Sequence, residues 1–235
     1  MKKKIMASLL VGSAVVGASL APLSAQAVTT GNTPVQVEFG GGTLPNGDRD
    51  TNTVDPDPTK PNSNFDLLYI PREFDFGKLS ISDDLTKPIP NKNDVGALDG
   101  HTEKIAVGDL RGTKEGWHLT AESNGMNLET ESLQGNITAT NGLYVLTYDE
   151  NTNSYTSQGA TVGMETRPEV VNRYWSLPLG GGAVLVGNAT SGKGQGLWQF
   201  SMFSTALNIT TPAYDIKAGA YTGNITWNLV AGPSI

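Results

Sequence analysis

Two tripeptides of the form Trp-x-Leu, Trp117-His118-Leu119 and Trp227-Asn228-Leu229, are the residues of this 235-residue chain best suited to recognition. Both lie in runs of strand-forming residues. Side chains alternate faces along a strand, so each Trp shares a face with its Leu while the polar residue between them points away. Buried, such an indole anchors a sandwich core; exposed, its broad ring stacks on a sugar ring or another flat ligand at low entropic cost. Both roles are open, and the core is favoured. Trp117 with Leu119 and Ala121, and Ile225 with Trp227 and Leu229, form continuous apolar stripes, and buried aromatics are the commoner case.

Catalytic chemistry has little to work with. His101 and His118 are the only histidines, which rules out a three-His metal site, and His118 falls on the polar face of its strand. Gly-x-Ser-x-Gly and His-Glu-x-x-His motifs are absent. The 23 acidic residues offer many carboxylate pairs, but only geometry could select one for glycoside hydrolysis. Asp48-Arg49-Asp50-Thr51-Asn52 looks like a calcium loop until its sixth position, Thr53, and its twelfth, Thr59, where Gly and a bidentate Glu are needed; Asp83-Asp84 is weaker still. The chain has no cysteine, so disulfides, thiolate metal sites, a Cys nucleophile and a lipidated N-terminal Cys are excluded together. No enzyme activity, cofactor or metal is expected.

The N-terminus indicates the compartment. Lys2 to Lys4 form a basic start, Ile5 to Leu20 an apolar stretch, and Ala25-Gln26-Ala27 supplies the small residues read by a signal peptidase. Cleavage is expected after Ala27, giving a secreted chain from Val28 with no transmembrane segment. Removing three of the 16 basic residues and none of the 23 acids leaves 13 against 23, a formal charge of −10. With no Lys/Arg cluster to oppose it, that charge argues against nucleic acid as a partner. Four Asn-x-Thr sequons, at Asn136, Asn188, Asn208 and Asn224, follow from the abundance of Asn and Thr in strand-like runs; the Lys-rich leader is of bacterial type.

The elements that must position these residues are strands. Leu67–Ile70, Lys104–Val107, Gly116–Glu122, Asn136–Thr140, Leu143–Tyr148, Ala183–Val186, Leu197–Phe203, Leu207–Thr210 and Tyr221–Val230 are short β-type runs separated by turn signals. Asn141-Gly142 between two of them is the strongest hairpin signal. No segment keeps helical periodicity. The pattern predicts an all-β fold, an antiparallel β-sandwich of Ig-like or Greek-key type, with a long N-terminal Pro/Asp-rich loop. Residues 1–27 form the signal peptide. Residues 28–64 hold a short strand at Thr33–Phe39 and a Gly/Pro/Asp-rich loop or linker, and 65–235 form the sandwich domain.

Three stretches carry a resemblance to a known family. Pro71-Arg72-Glu73-Phe74-Asp75-Phe76-Gly77 opens the domain; Val107-Gly108-Asp109-Leu110-Arg111-Gly112 leads into Gly116-Trp117-His118-Leu119-Thr120-Ala121; and Ala218-Gly219-Ala220-Tyr221-Thr222-Gly223-Asn224-Ile225-Thr226 leads into Trp227-Asn228-Leu229. In these motifs, and in its layout of leader, acidic loop and C-terminal domain, the chain resembles the WxL-domain cell-surface proteins of Gram-positive bacteria. The resemblance implies noncovalent attachment to the cell wall, with peptidoglycan or another wall component as ligand. It also implies possible assembly with companion anchored surface proteins, and binding motifs at Trp117, Leu119, Trp227 and Leu229. Trp175-Ser176-Leu177 has the same spelling without those contexts and reads as coincidence. An adhesin or structural subunit whose main partner is another surface protein is the alternative, and a carbohydrate-active enzyme a further rival.

With no lipobox cysteine, sorting pentapeptide or second hydrophobic span in the sequence, high salt, chaotrope or mild detergent is expected to release the intact mature chain from cells. Recovery only after muramidase digestion, as species carrying wall fragments, would show covalent attachment instead.

Overall fold

A computed structural model describes residues 32–48, 52–92, 102–159 and 165–234; the leader and His101 lie outside them. Alternating sequence becomes alternating burial most cleanly in β5 (Trp117–Ser123), where Trp117, Leu119, Ala121 and Ser123 are buried and the residues between them are not. Around it pair β10 (Glu169–Val170), β12 (Val184–Ala189) and β14 (Ile225–Ala231), in the order β10-β12-β5-β14. The larger sheet runs β1 (Thr53–Val54), β2 (Phe65–Pro71), β4 (Glu103–Asp109), β13 (Gly196–Ile209), β8 (Gly135–Asp149) and β11 (Tyr174–Pro178). Two further strands join it, β3 (Ile89–Pro90) beside β13 and β9 (Ser154–Gly159) beside β8. A two-stranded ribbon, β6 (Asn127–Leu128) with β7 (Glu131–Ser132), stands apart from both sheets. Every strand pairing is antiparallel, and the two sheets share one core, as expected of a sandwich.

That core takes alternate residues from both sheets: Ile105 and Val107 of β4, Trp198, Phe200 and Met202 of β13, and Trp117 and Leu119 of β5 among them. Burying about a dozen such side chains is the main favourable term for a fold with no disulfide to support it. The intervening positions of the larger sheet are also covered. Ala106 belongs to a second cluster with Leu44, Leu68, Tyr69 and Leu146. Beside it the Tyr69 hydroxyl donates to Gln199 Oε1 at 2.6 Å, and Gln199 Nε2 donates to Ser201 Oγ at 2.9 Å. Strand β4 is therefore buried on both faces, which is why its sequence lacks clean alternation.

Two expectations change here. Asn141-Gly142 makes no hairpin: both runs beside it belong to the single 15-residue strand β8, with Asn141 opposite Met202 and Gly142 opposite Ser201. Glycine serves close approach at this point, since a Cβ on Gly142 would lie 2.9 Å from the Phe203 ring. The two runs of β13 likewise fuse, through a bulge between Phe203 and Ala206 where Ser204 takes a φ of 52°.

In the N-terminal region, read as a short strand plus a loop or linker, the strand is what the structure lacks. Residues 33–39 form no strand, and Val35, Val37 and Phe39 are 92%, 77% and 87% exposed; a strand without a neighbour leaves its backbone groups unpaired. From Gly42 onward the loop lies against the sheet as a strap. Gly42 N donates to Leu110 O at 2.8 Å and Leu44 N to Ser63 O at 3.0 Å. The Pro45 carbonyl accepts from Asn62 Nδ2 at 2.8 Å and from the Tyr155 hydroxyl at 2.6 Å. Asn52 Nδ2 donates to Thr102 O at 2.9 Å, and β1 pairs with the end of β2. Leu44 fills the space left by Gly108, whose missing Cβ would otherwise sit 2.4 Å from it.

The strap is thus part of the fold, and its deletion should be costly. Leu44→Ala is expected to destabilise the domain by about 2–4 kcal/mol through lost burial and an unfilled cavity, lowering Tm by roughly 5–15 °C. A melting curve unchanged from wild type would show the strap to be detached in solution.

Candidate functional site

The register between β5 and β14 brings the two tripeptides side by side. Leu119 stands opposite Leu229, Trp117 opposite Ala231, and Ala121 opposite Trp227. Antiparallel pairing thus sets each large ring against an alanine on the neighbouring strand, so both indoles fit on one face without colliding. Strand β12 continues the pattern on the other side of β5, with Ala189 opposite Trp117 and Gly187 opposite Leu119. Gly187 can carry no side chain, because a Cβ there would lie 2.2 Å from the Phe200 ring.

Trp117 and Leu119 are both completely buried. The Trp117 ring meets Phe200 edge-on, centroids 6.2 Å apart at 82°. Its Nε1 donates to Gly194 O at 3.0 Å, and Trp198 Nε1 donates to the same carbonyl at 3.0 Å. One backbone oxygen therefore satisfies two buried indoles, as its two lone pairs allow. Gly194 takes a φ of 82°, and a Cβ there would be 2.5 Å from Trp117 Nε1, so both its conformation and its surroundings require glycine.

The turn that delivers Trp117 is held by an ionic clamp. Arg111 Nε and Nη2 bind the two carboxylate oxygens of Asp109 at 2.9 and 2.8 Å, and Nη2 also donates to Gly116 O at 2.9 Å. Nη1 reaches Glu115, and the guanidinium lies 3.7 Å above the Phe65 ring centre. The Asp109 hydrogen bonds hold the Arg111 pKa above its ordinary value. Charge paired this fully inside its own turn is structural. The signal for it was the Asp109-x-Arg111 spacing inside the second family-like stretch, which sequence reasoning used for its likeness and not for its chemistry.

Trp227 and Leu229 differ from their counterparts. Both are half-buried, on a strand that among the described residues is paired on one side only. The Trp227 ring stacks on Trp175, centroids 6.2 Å apart at 20°. Trp175 is 1% exposed and Leu177 fully buried. The third Trp-x-Leu packs in the same core from the opposite sheet.

Trp227 also lines a cleft of about 1130 Å³. One wall is the chain that leaves β2, with Phe74 and Phe76, and the other is the segment 216–225 that enters β14, with Ile216 and Tyr221. The first and third family-like stretches therefore face each other across this space. The entering segment is stitched down by reciprocal backbone bonds, Asn127 N to Thr222 O at 2.8 Å and Thr222 N to Asn127 O at 3.0 Å. At the rim, the Asp75 carboxylate is held below its usual pKa by the Gly77 N–H at 2.7 Å and by Lys92 at 3.1 Å. The contribution of these bonds is present above the ordinary aspartate pKa of about 3.9 and fades as pH falls through the lower folded value.

An apolar floor with a charged rim suits binding. His118 Nδ1 meets Gly232 O at 2.9 Å, which ties that ring to backbone. Among the described residues no three His, Asp or Glu side chains converge on a metal position.

Trp117→Ala and Trp175→Ala should each cost about 3–5 kcal/mol, as buried aromatic deletions do. Gly194→Ala should destabilise as well, by displacing the carbonyl that both indoles share. Trp227→Ala, on a half-open edge, should cost less. Thermal melts of the four variants check the order; a Trp175→Ala protein melting like wild type would refute the packing described.

No curated protein and no solved structure matches the chain. The family model for the WxL domain, described as surface cell wall-binding, matches residues 26–233. The chain belongs to the WxL family of cell wall-binding surface domains.

Proposed function

We propose that this protein is exported by a Gram-positive bacterium and held noncovalently on peptidoglycan, as a binding protein without catalytic activity. The family supplies the wall as partner. In this reading Trp117, Leu119, Trp227 and Leu229 support wall binding by building the domain that binds. The observation that carries it is the β5–β14 register, in which the motif residues complement one another, Leu against Leu and Trp against Ala. Trp117 and Leu119 have no surface left to offer a glycan.

A second role is favoured by the free side of β14. Among the described residues that strand pairs with β5 alone, and its Ile225 end borders the apolar cleft. An open strand edge beside an apolar trough is a site for another polypeptide. It supports membership of a surface assembly, compatible with companion proteins that carry their own anchors.

Sedimentation with purified peptidoglycan tests the primary reading. Wild-type protein should co-sediment. Trp117→Ala should lose wall binding only in proportion to the fraction unfolded at the assay temperature. A Trp117→Ala protein that kept the wild-type melt yet lost wall binding would place that residue in ligand contact.

A further inference from the structure

We infer that the cleft receives the N-terminal segment Val35-Gln36-Val37-Glu38-Phe39 of a second copy of this chain, joining copies head to tail. This rests on the second role above, and the observations meet from two sides.

On the donor side, Val35, Val37 and Phe39 recur at every second position, so in a strand they form one apolar face. All three are highly exposed and without secondary structure. Three large apolar side chains spaced for a strand core, with no core to enter, form a half-element. Gly40 follows in open space; from Gly41, where a Cβ would lie 3.1 Å from Arg111 O, and Gly42, whose N–H binds Leu110 O, the chain lies against the sheet. A glycine free of neighbours therefore precedes the anchored strap.

On the acceptor side, β14 has no neighbour beyond β5 among the described residues, and where its Ile225–Trp227 end borders the cleft, Ile70, Phe74 and Phe76 line the same space. An extended segment entering here pairs its backbone with β14 and turns Val35, Val37 and Phe39 to the floor, leaving Gln36 and Glu38 toward solvent and the charged rim. The added strand satisfies the backbone groups of both partners and covers apolar surface on each. A second copy is favoured over the chain's own cleft by the position of the anchor. Leu110, which holds Gly42, follows the end of β4 that pairs with Phe65, whereas the cleft opens at Ile70 and Pro71, the opposite end of β2. The contact is heterologous, since segment and cleft are different surfaces, so it propagates into open chains unless a ring closes.

The test uses the chain from Val28 onward, followed by sedimentation velocity over a concentration series. Concentration-dependent dimers and longer species are expected. A triple variant, Val35→Asp, Val37→Asp and Phe39→Asp, should weaken association by ~100-fold or more, because unpaired carboxylates are not tolerated in an apolar cleft. Its folded domain is untouched by the change, so it should keep the wild-type melt. A synthetic peptide of residues 32–40 added to this variant should bind, alter Trp227 fluorescence and slow hydrogen exchange along Ile225–Ala231. A wild-type chain that stays monomeric at all concentrations, a triple variant that associates like wild type, or peptide binding that leaves β14 exchange unchanged would each overturn the inference. Peptidoglycan sedimentation of the triple variant is expected to match wild type, so failure of strand exchange is distinguishable from failure of wall binding.

Discussion

The pairing of β5 with β14 is the constraint on which the rest of the domain depends. A slip of β14 by one residue against β5 would turn Trp227 and Leu229 to solvent and bring Asn228 inward. The observed register avoids this by size matching: each ring opposes an alanine, and the leucines meet at the centre. From that stripe the core extends across to Phe200 and Trp175 of the larger sheet. A motif of two tripeptides far apart in sequence is therefore one packing unit in space, and neither half buries its face without the other.

The second constraint is the covering of the larger sheet on both sides. Its inner face meets the smaller sheet; part of its outer face meets the strap through Leu44 and through the Pro45 carbonyl, which accepts from the Tyr155 hydroxyl. Polar groups buried in the sheet need partners of matching geometry, which the Tyr69–Gln199–Ser201 hydrogen bonds supply, while the strap is held by its own bonds to Leu110, Tyr155 and Thr102. The molecule compensates for having no disulfide by layering a third element on the sandwich.

Much of this was legible in sequence and some was not, for physical reasons. The period-2 alternation of β5 and β14 identified both strands and their inward faces, because each has one covered face. The Asn141-Gly142 signal failed because glycine answers two demands, positive φ and close approach, and here a ring of Phe203 required the second. The strap was read as a loop or linker because proline and aspartate advertise the absence of a ladder, and say nothing about whether a single leucine such as Leu44 finds a pocket. Trp175 was set aside because its partner Trp227 lies on the opposite sheet, a contact that no local context announces. The cleft was invisible for the same reason: its two walls are far apart in the chain.

The long reach of these contacts also bears on how the chain folds. Pro45 waits for Tyr155, 110 residues later; Trp117 waits for Gly194, 77 residues later; His118 waits for Gly232, 114 residues later. Pairings so distant close slowly, since loop entropy is lost before any contact rewards it. The strands that seal the sandwich, β13 in the larger sheet and β14 in the smaller, are the last to be synthesised, so neither sheet is complete until nearly the whole chain has been made.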